Sequence, residues 1–199
     1  VPPPPSPPPP PSLIAIDGHN KAATSSATSL GISLTTTKSP EVIVVAIQSW
    51  KNPITGISDS RGLSWNLRKF IHNSVNVEGT YFYEYYAIAD APLTNDIITV
   101  QMAQPNFISM IAFGVSGADV ISPFDMDPSL PASAIGGPTA TVTYSTSNAN
   151  DLIFALAGDY NAARPMNAET GWTLIENISA LGNLDLGAQF KIVDSVQIN

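Results

Sequence analysis

The stretch Glu41–Trp50, Glu-Val-Ile-Val-Val-Ala-Ile-Gln-Ser-Trp, constrains this chain most, because it is apolar at consecutive positions rather than alternate ones. A strand of that composition must be covered on both faces. It is also echoed further on. Glu41, Val42, Ile43 and Val44 answer to Asp151, Leu152, Ile153 and Phe154, and upstream Ile32, Leu34 and Thr36 answer to Val142, Tyr144 and Thr146. Trp65-Asn66-Leu67 recurs as Trp172-Thr173-Leu174, and Tyr86-Ala87-Ile88-Ala89-Asp90 as Phe190-Lys191-Ile192-Val193-Asp194. Two diverged copies of one strand-rich unit are expected.

No stretch carries continuous i, i+3, i+4 periodicity, so the expectation is an all-β chain, an antiparallel two-sheet sandwich of jelly-roll type. At 199 residues it fits one large β domain. The first copy is expected over about 13–117, a Pro- and Gly-rich crossover over 118–138, and the second copy over 139–199. Short strands are expected at Leu13–Asp17 and Thr24–Thr37. Ile97–Met102 and Phe107–Val115 read as a hairpin around Ala103–Asn106, and Thr139–Ser145 reads as the first strand of the second copy.

Residues 1–12, Val-Pro-Pro-Pro-Pro-Ser-Pro-Pro-Pro-Pro-Pro-Ser, can only be a polyproline II rod, since each ring fixes φ and removes an amide donor. At about 3.1 Å per residue it reaches on the order of 35 Å. The tract resembles the Ser-Pro repeats of extensin-like, hydroxyproline-rich cell-wall glycoproteins. The resemblance implies hydroxylated, sugar-bearing prolines such as Pro3, Pro4, Pro8 and Pro9, with Ser6 and Ser12 as further O-linked positions. A chain opening at Val1 inside such a tract is expected to be a mature form whose leader has been removed, and hence extracellular.

Charge narrows the partners. With 8 Lys plus Arg against 16 Asp plus Glu, the net charge of −8 argues against nucleic acid, whose phosphates require a basic face. Cysteine is absent, which excludes disulfides and thiolate metal sites. No apolar run approaches the roughly 20 residues of a membrane-spanning helix. No nucleophile elbow or metal-binding histidine spacing accompanies His19 and His72, so no catalytic residue and no cofactor are expected.

After Asp90 the first copy continues to Val115, whereas after Asp194 only Ser195–Asn199 follow. The second copy therefore lacks a counterpart of Ile97–Val115, and a neighbouring strand is left with an unpaired edge. The strand Leu13, Ile14, Ala15 and Ile16, carried on the rod, is the available filler. Either the copy has simply diverged and this strand folds back in cis, or the chain is one module of a longer polypeptide, or the strand enters another subunit by donor-strand complementation. The last of these makes head-to-tail contacts that propagate into a filament. In architecture this resembles the strand-donating β-sandwich subunits of pili. The expectation is thus a non-enzymatic subunit of an extracellular fibre whose main partner is itself. The alternative is a secreted carbohydrate-binding module, with Tyr81, Tyr83 and Tyr85 as the stacking platform. Asp119, Asp125 and Asp127 are the candidate calcium ligands, beside the plainer reading of a solvated acidic loop. Asn177-Ile178-Ser179 is the one N-glycosylation acceptor pattern.

Overall fold

A computed structural model describes residues 13–74, 79–136, 140–160, 166–180 and 184–198. The described chain forms nine antiparallel strands and no helix: β1 (Ala15–Leu34), β2 (Glu41–Trp50), β3 (Ile54–Ser58), β4 (Asn66–Asn73), β5 (Thr80–Ala89), β6 (Asp96–Ser116), β7 (Asp151–Tyr160), β8 (Thr173–Ala180) and β9 (Leu184–Val193). The larger sheet runs β1-β6-β2-β5-β4, with β3 also on β6, and the smaller runs β7-β9-β8.

β2 lies where its composition demands, in the interior. Ile43, Val45 and Ile47 enter one core and Val42, Val44 and Ala46 the other, and every residue from Glu41 to Ser49 is buried. The second core is shared between the sheets: Ile111, Phe113 and Val115 of β6 meet Ile175, Leu186 and Ala188 of the smaller sheet. The arrangement is sandwich-like, with apolar side chains interdigitating between stacked layers.

Two expected breaks in the chain do not occur. β1 runs unbroken through Leu13–Asp17 and Thr24–Thr37 territory as one strand of 20 residues, and β6 runs as one of 21 through Ala103–Asn106. What the sequence suggests as a hairpin is a bend. The β1–β6 ladder shifts register between Thr24 and Ser29, as bulges do where a strand turns a corner. Beyond the bend, Asn20 Nδ2 donates to Ser33 O at 2.7 Å although the two residues are 13 apart. Unbent strand of that length would span about 43 Å. The fold-over lays Ile32, Leu34, Ile98, Val100 and Met102 across Ile43, Val45 and Ile47, and so covers the second face of β2. Residues 140–145, expected as a strand, form none.

Candidate functional site

The two ladders match in register. β2 pairs with β5 as Glu41↔Ala89, Val42↔Ile88 and Val44↔Tyr86, and β7 pairs with β9 as Asp151↔Val193, Leu152↔Ile192 and Phe154↔Phe190. β4 meets β5 as Asn66↔Tyr86 and Leu67↔Tyr85, then slips before Lys69. β8 meets β9 as Thr173↔Phe190 and Leu174↔Gln189, then slips before Glu176. The two ladders differ on the far side of the lead strand. β2 has β6 on its second edge, whereas β7 has no ladder partner there among the described residues. The consequence is visible in exposure. Asp151–Leu156 are only half-buried and Ala157–Asp159 are exposed.

The approaches to β2 and β7 are built alike, atom for atom. The Asp17 carboxylate accepts from Thr37 N (2.8 Å), Thr37 Oγ1 (2.9 Å) and Lys38 N (2.6 Å). Asp125 accepts from Ser147 N (2.8 Å), Ser147 Oγ (2.7 Å) and Asn148 N (2.9 Å). Thr36 N donates to Leu93 O while Leu93 N donates to Thr36 Oγ1, both at 2.9 Å. Thr146 and Gln197 repeat that exchange at 3.0 Å. Each of these aspartates, Asp17 within β1 and Asp125 in a loop, also faces the acid that opens the strand. Burial, with the charge of Asp17 beside it, raises Glu41 to about 7. Burial and the charge of Asp125 raise Asp151 to about 6. Against the pull of burial, hydrogen bonds hold Asp17 below its usual range and Asp125 at about 2. Glu41 therefore keeps its proton up to about pH 7 and Asp151 up to about pH 6, since two adjacent carboxylates resist joint ionisation.

Beside the open edge of β7 runs a groove of about 930 Å³, lined by Phe82, Glu84, Arg68 and Ile71 of β5 and β4, by β7, and by Leu130–Gly136 and Ala140–Val142. Arg68 is the bulge residue of β4. Its guanidinium donates to Glu84 Oε1 at 2.5 Å and lies 4.0 Å from the centroid of the Phe124 ring. The groove falls where the matched ladders leave space. β6 packs across β8 and β9, so a strand alongside β7 would pack across the matching β4 and β5.

The remaining sequence candidates are dispersed. Ala15 and Ile16 pair in cis with Ser116 and Val115, while Leu13 is 90% exposed. Of the tyrosine row, Tyr83 is 5% exposed, and Tyr81 and Tyr85 pack on the same core, which leaves Tyr83 without a free face for a sugar. The oxygens of Asp125 are occupied by the donors above; Asp119 accepts from Ile121 N and Ser122 N, and Asp127 from Ser129 N. Among the described residues no three acidic or histidine side chains converge on a metal position. Asn177 is half-buried on β8 and its Nδ2 donates to Met166 O at 2.9 Å. His19 meets Glu176 at 3.0 Å and His72 stacks on Tyr81, so the two histidines serve separate places. Ser6, Ser12 and the prolines of residues 1–12 lie outside the described residues.

Sequence reasoning places Glu41 and Asp151 at the heads of two strands. It misses the equivalence of Asp125 with Asp17, because Ile-Asp-Gly and Phe-Asp-Met share only the aspartate and the second sits in a Pro-rich loop. The Arg68–Glu84 pair is also missed, because Arg68 stands beside Lys69 in a strand that also carries Asn66 and His72, and nothing singles it out. Comparison with family models, with curated proteins and with solved structures finds no match.

Proposed function

We propose that this chain is a non-enzymatic structural subunit of an extracellular filament, built from two diverged jelly-roll-like copies and joined to its neighbour by strand complementation. The observation that carries the reading is the edge of β7. The matching strand β2 is paired on both sides and buried, whereas β7 is paired on one side and half-exposed. An unpaired edge of this length is a template for another strand.

In this reading the tract of residues 1–12 is the glycosylated spacer that sets the distance between subunits. Leu13–Ile16 spans less than half the length of the 10-residue β7 and, in the isolated chain, completes its own sheet against β6. Pairing at β7 therefore makes the joint, and the rod determines its spacing. The duplication is supported by the shared registers, the shared slip in β4 and β8, and the repeated aspartate and threonine networks.

Electron microscopy of the purified chain, with and without residues 1–12, tests the proposal. Fibres whose regular axial spacing is lost on truncation are expected. Dispersed monomers in both samples would contradict it.

A further inference from the structure

We infer that a cavity on the seam between β1 and β8, distinct from the groove beside β7 and from the tyrosine row, is a binding site for a neutral saccharide. The cavity measures about 620 Å³ and is lined by both limbs of β1, by the turn at Asn95, and by β8 and β9. That volume falls within the roughly 300–1,000 Å³ of small-molecule sites. The inference goes beyond the filament proposed above and does not depend on it.

Irregular backbone from both sheets converges on this cavity. The β1–β6 ladder shifts register between Ile16 and His19, and the β8–β9 ladder between Leu174 and Glu176. Gly18 stands inside the first shift with a φ of 78°, and a side chain there would strike Thr35 O. Asn95, whose amide donates to Thr35 Oγ1 at 3.0 Å, holds a φ of 49°. Bulges re-aim the side chains beside them, and a residue other than glycine stays in the left-handed region only where its surroundings hold it. β1 and β8 pack together but belong to different sheets and share no ladder. The seam is therefore open to a ligand that brings its own hydrogen bonds.

The lining selects the ligand. Asn95 Nδ2, His19 Nε2 and the hydroxyls of Ser33 and Thr173 have no hydrogen-bond partner among the described residues. Leu174, 40% exposed, and the half-buried Phe190 give the same cavity an apolar part. Charge is already matched, because Glu176 is engaged by His19 at 3.0 Å and by Lys21 at 2.8 Å. An ionic ligand would meet no free counter-charge. A pyranose ring carries C–H groups on its faces and hydroxyls around its rim, and so fits amides and hydroxyls set about an apolar patch.

The test screens the 199-residue chain on a glycan array and titrates it by calorimetry with the best-bound neutral glycan. Saturable binding at one site per chain is expected, with neutral glycans preferred over those bearing uronate or sialate. Asn95→Gly removes the amide and leaves the backbone free to hold its positive φ, and Thr173→Val removes a hydroxyl at an exposed strand position with little change of shape. Each is expected to weaken binding about tenfold or more while circular dichroism reports the fold retained. No saturable binding to any neutral glycan, a preference for charged glycans, or undiminished binding by both variants would overturn the inference. Binding by a chain that never forms fibres would leave it standing and remove the filament reading; fibres without glycan binding would do the reverse.

Discussion

Trp50 closes β2 and Tyr160 closes β7, and their rings stack with centroids 5.2 Å apart at 23°. One or two residues earlier on the same two strands the meeting is repeated, since Gln48 Nε2 donates to Asp159 O at 3.1 Å and a side chain at Gly158 would strike Gln48. Corresponding ends of the two ladders thus touch each other. The contact clamps the two sheets at the end away from the acidic pairs. Trp50→Ala and Tyr160→Ala are each expected to cost about 2–3 kcal/mol, and a double-mutant cycle by chemical denaturation should return a coupling of about 1 kcal/mol. Strict additivity would show that the stack does not join the sheets.

Glu41 is fully buried and neither carboxyl oxygen has a hydrogen-bond partner. Burial, with Asp17 beside it, raises its pKa from 4.5 to about 7, so the folded state binds the proton more tightly than the unfolded chain. Its contribution is complete below about 4.5 and is lost as pH rises through 7. Asp151 contributes the same slope between 3.8 and about 6. Glu41→Gln is expected to flatten the fall in stability across this window and to stabilise at pH 8 by on the order of 3 kcal/mol. Melting temperatures at pH 4.5, 6 and 8 check it; an unchanged slope in the variant would refute it.

Asp17 and Asp125 each hold two backbone amides and a hydroxyl in matching geometry. Asp17→Ala and Asp125→Ala should each destabilise by about 1–3 kcal/mol, because the amides of Thr37, Lys38, Ser147 and Asn148 lose their acceptor. The contribution of Asp125 is present above pH 3.8 and lost as pH falls toward 2. Calcium should leave the melting temperature unchanged, as these oxygens are already engaged; a calcium-dependent rise abolished by Asp125→Ala would contradict this account.

The sequence carries much of this fold. Alternation and the apolar runs specify an all-β chain and place Glu41 and Asp151 at the heads of strands. What it hides are the bends. Gln104-Pro105-Asn106 has the composition of a turn, yet β6 passes through it, because β1 on its other side bulges in step and the ladder folds as a pair. It likewise hides Asp125, since hydrogen bonding to Ser147 and Asn148 depends on backbone that neighbouring residues do not signal. Residues 140–145 form no strand although Thr-Val-Thr-Tyr has strand propensity.

Arg68 is the cation at the floor of the groove, with side-chain exposure of 15% against 7% for Glu84. Burial raises the Glu84 carboxyl while Arg68 opposes the shift. Arg68→Ala should therefore cost about 3–5 kcal/mol by leaving Glu84 buried and unpaired, and Glu84→Leu in that background should recover much of the loss. Denaturant titration of the single and double variants measures it; no recovery in the double variant would place the cost in lost packing on Phe124 instead.

Native-state hydrogen exchange of the monomeric chain, compared residue by residue between β2 and β7, tests the central claim most directly. The account predicts that amides throughout Glu41–Trp50 exchange only by global unfolding, whereas in Asp151–Tyr160 alternate amides are protected by β9 and those between exchange rapidly. Uniform protection of β7 equal to that of β2 would mean that its second edge is already occupied, and the strand-accepting reading would fall.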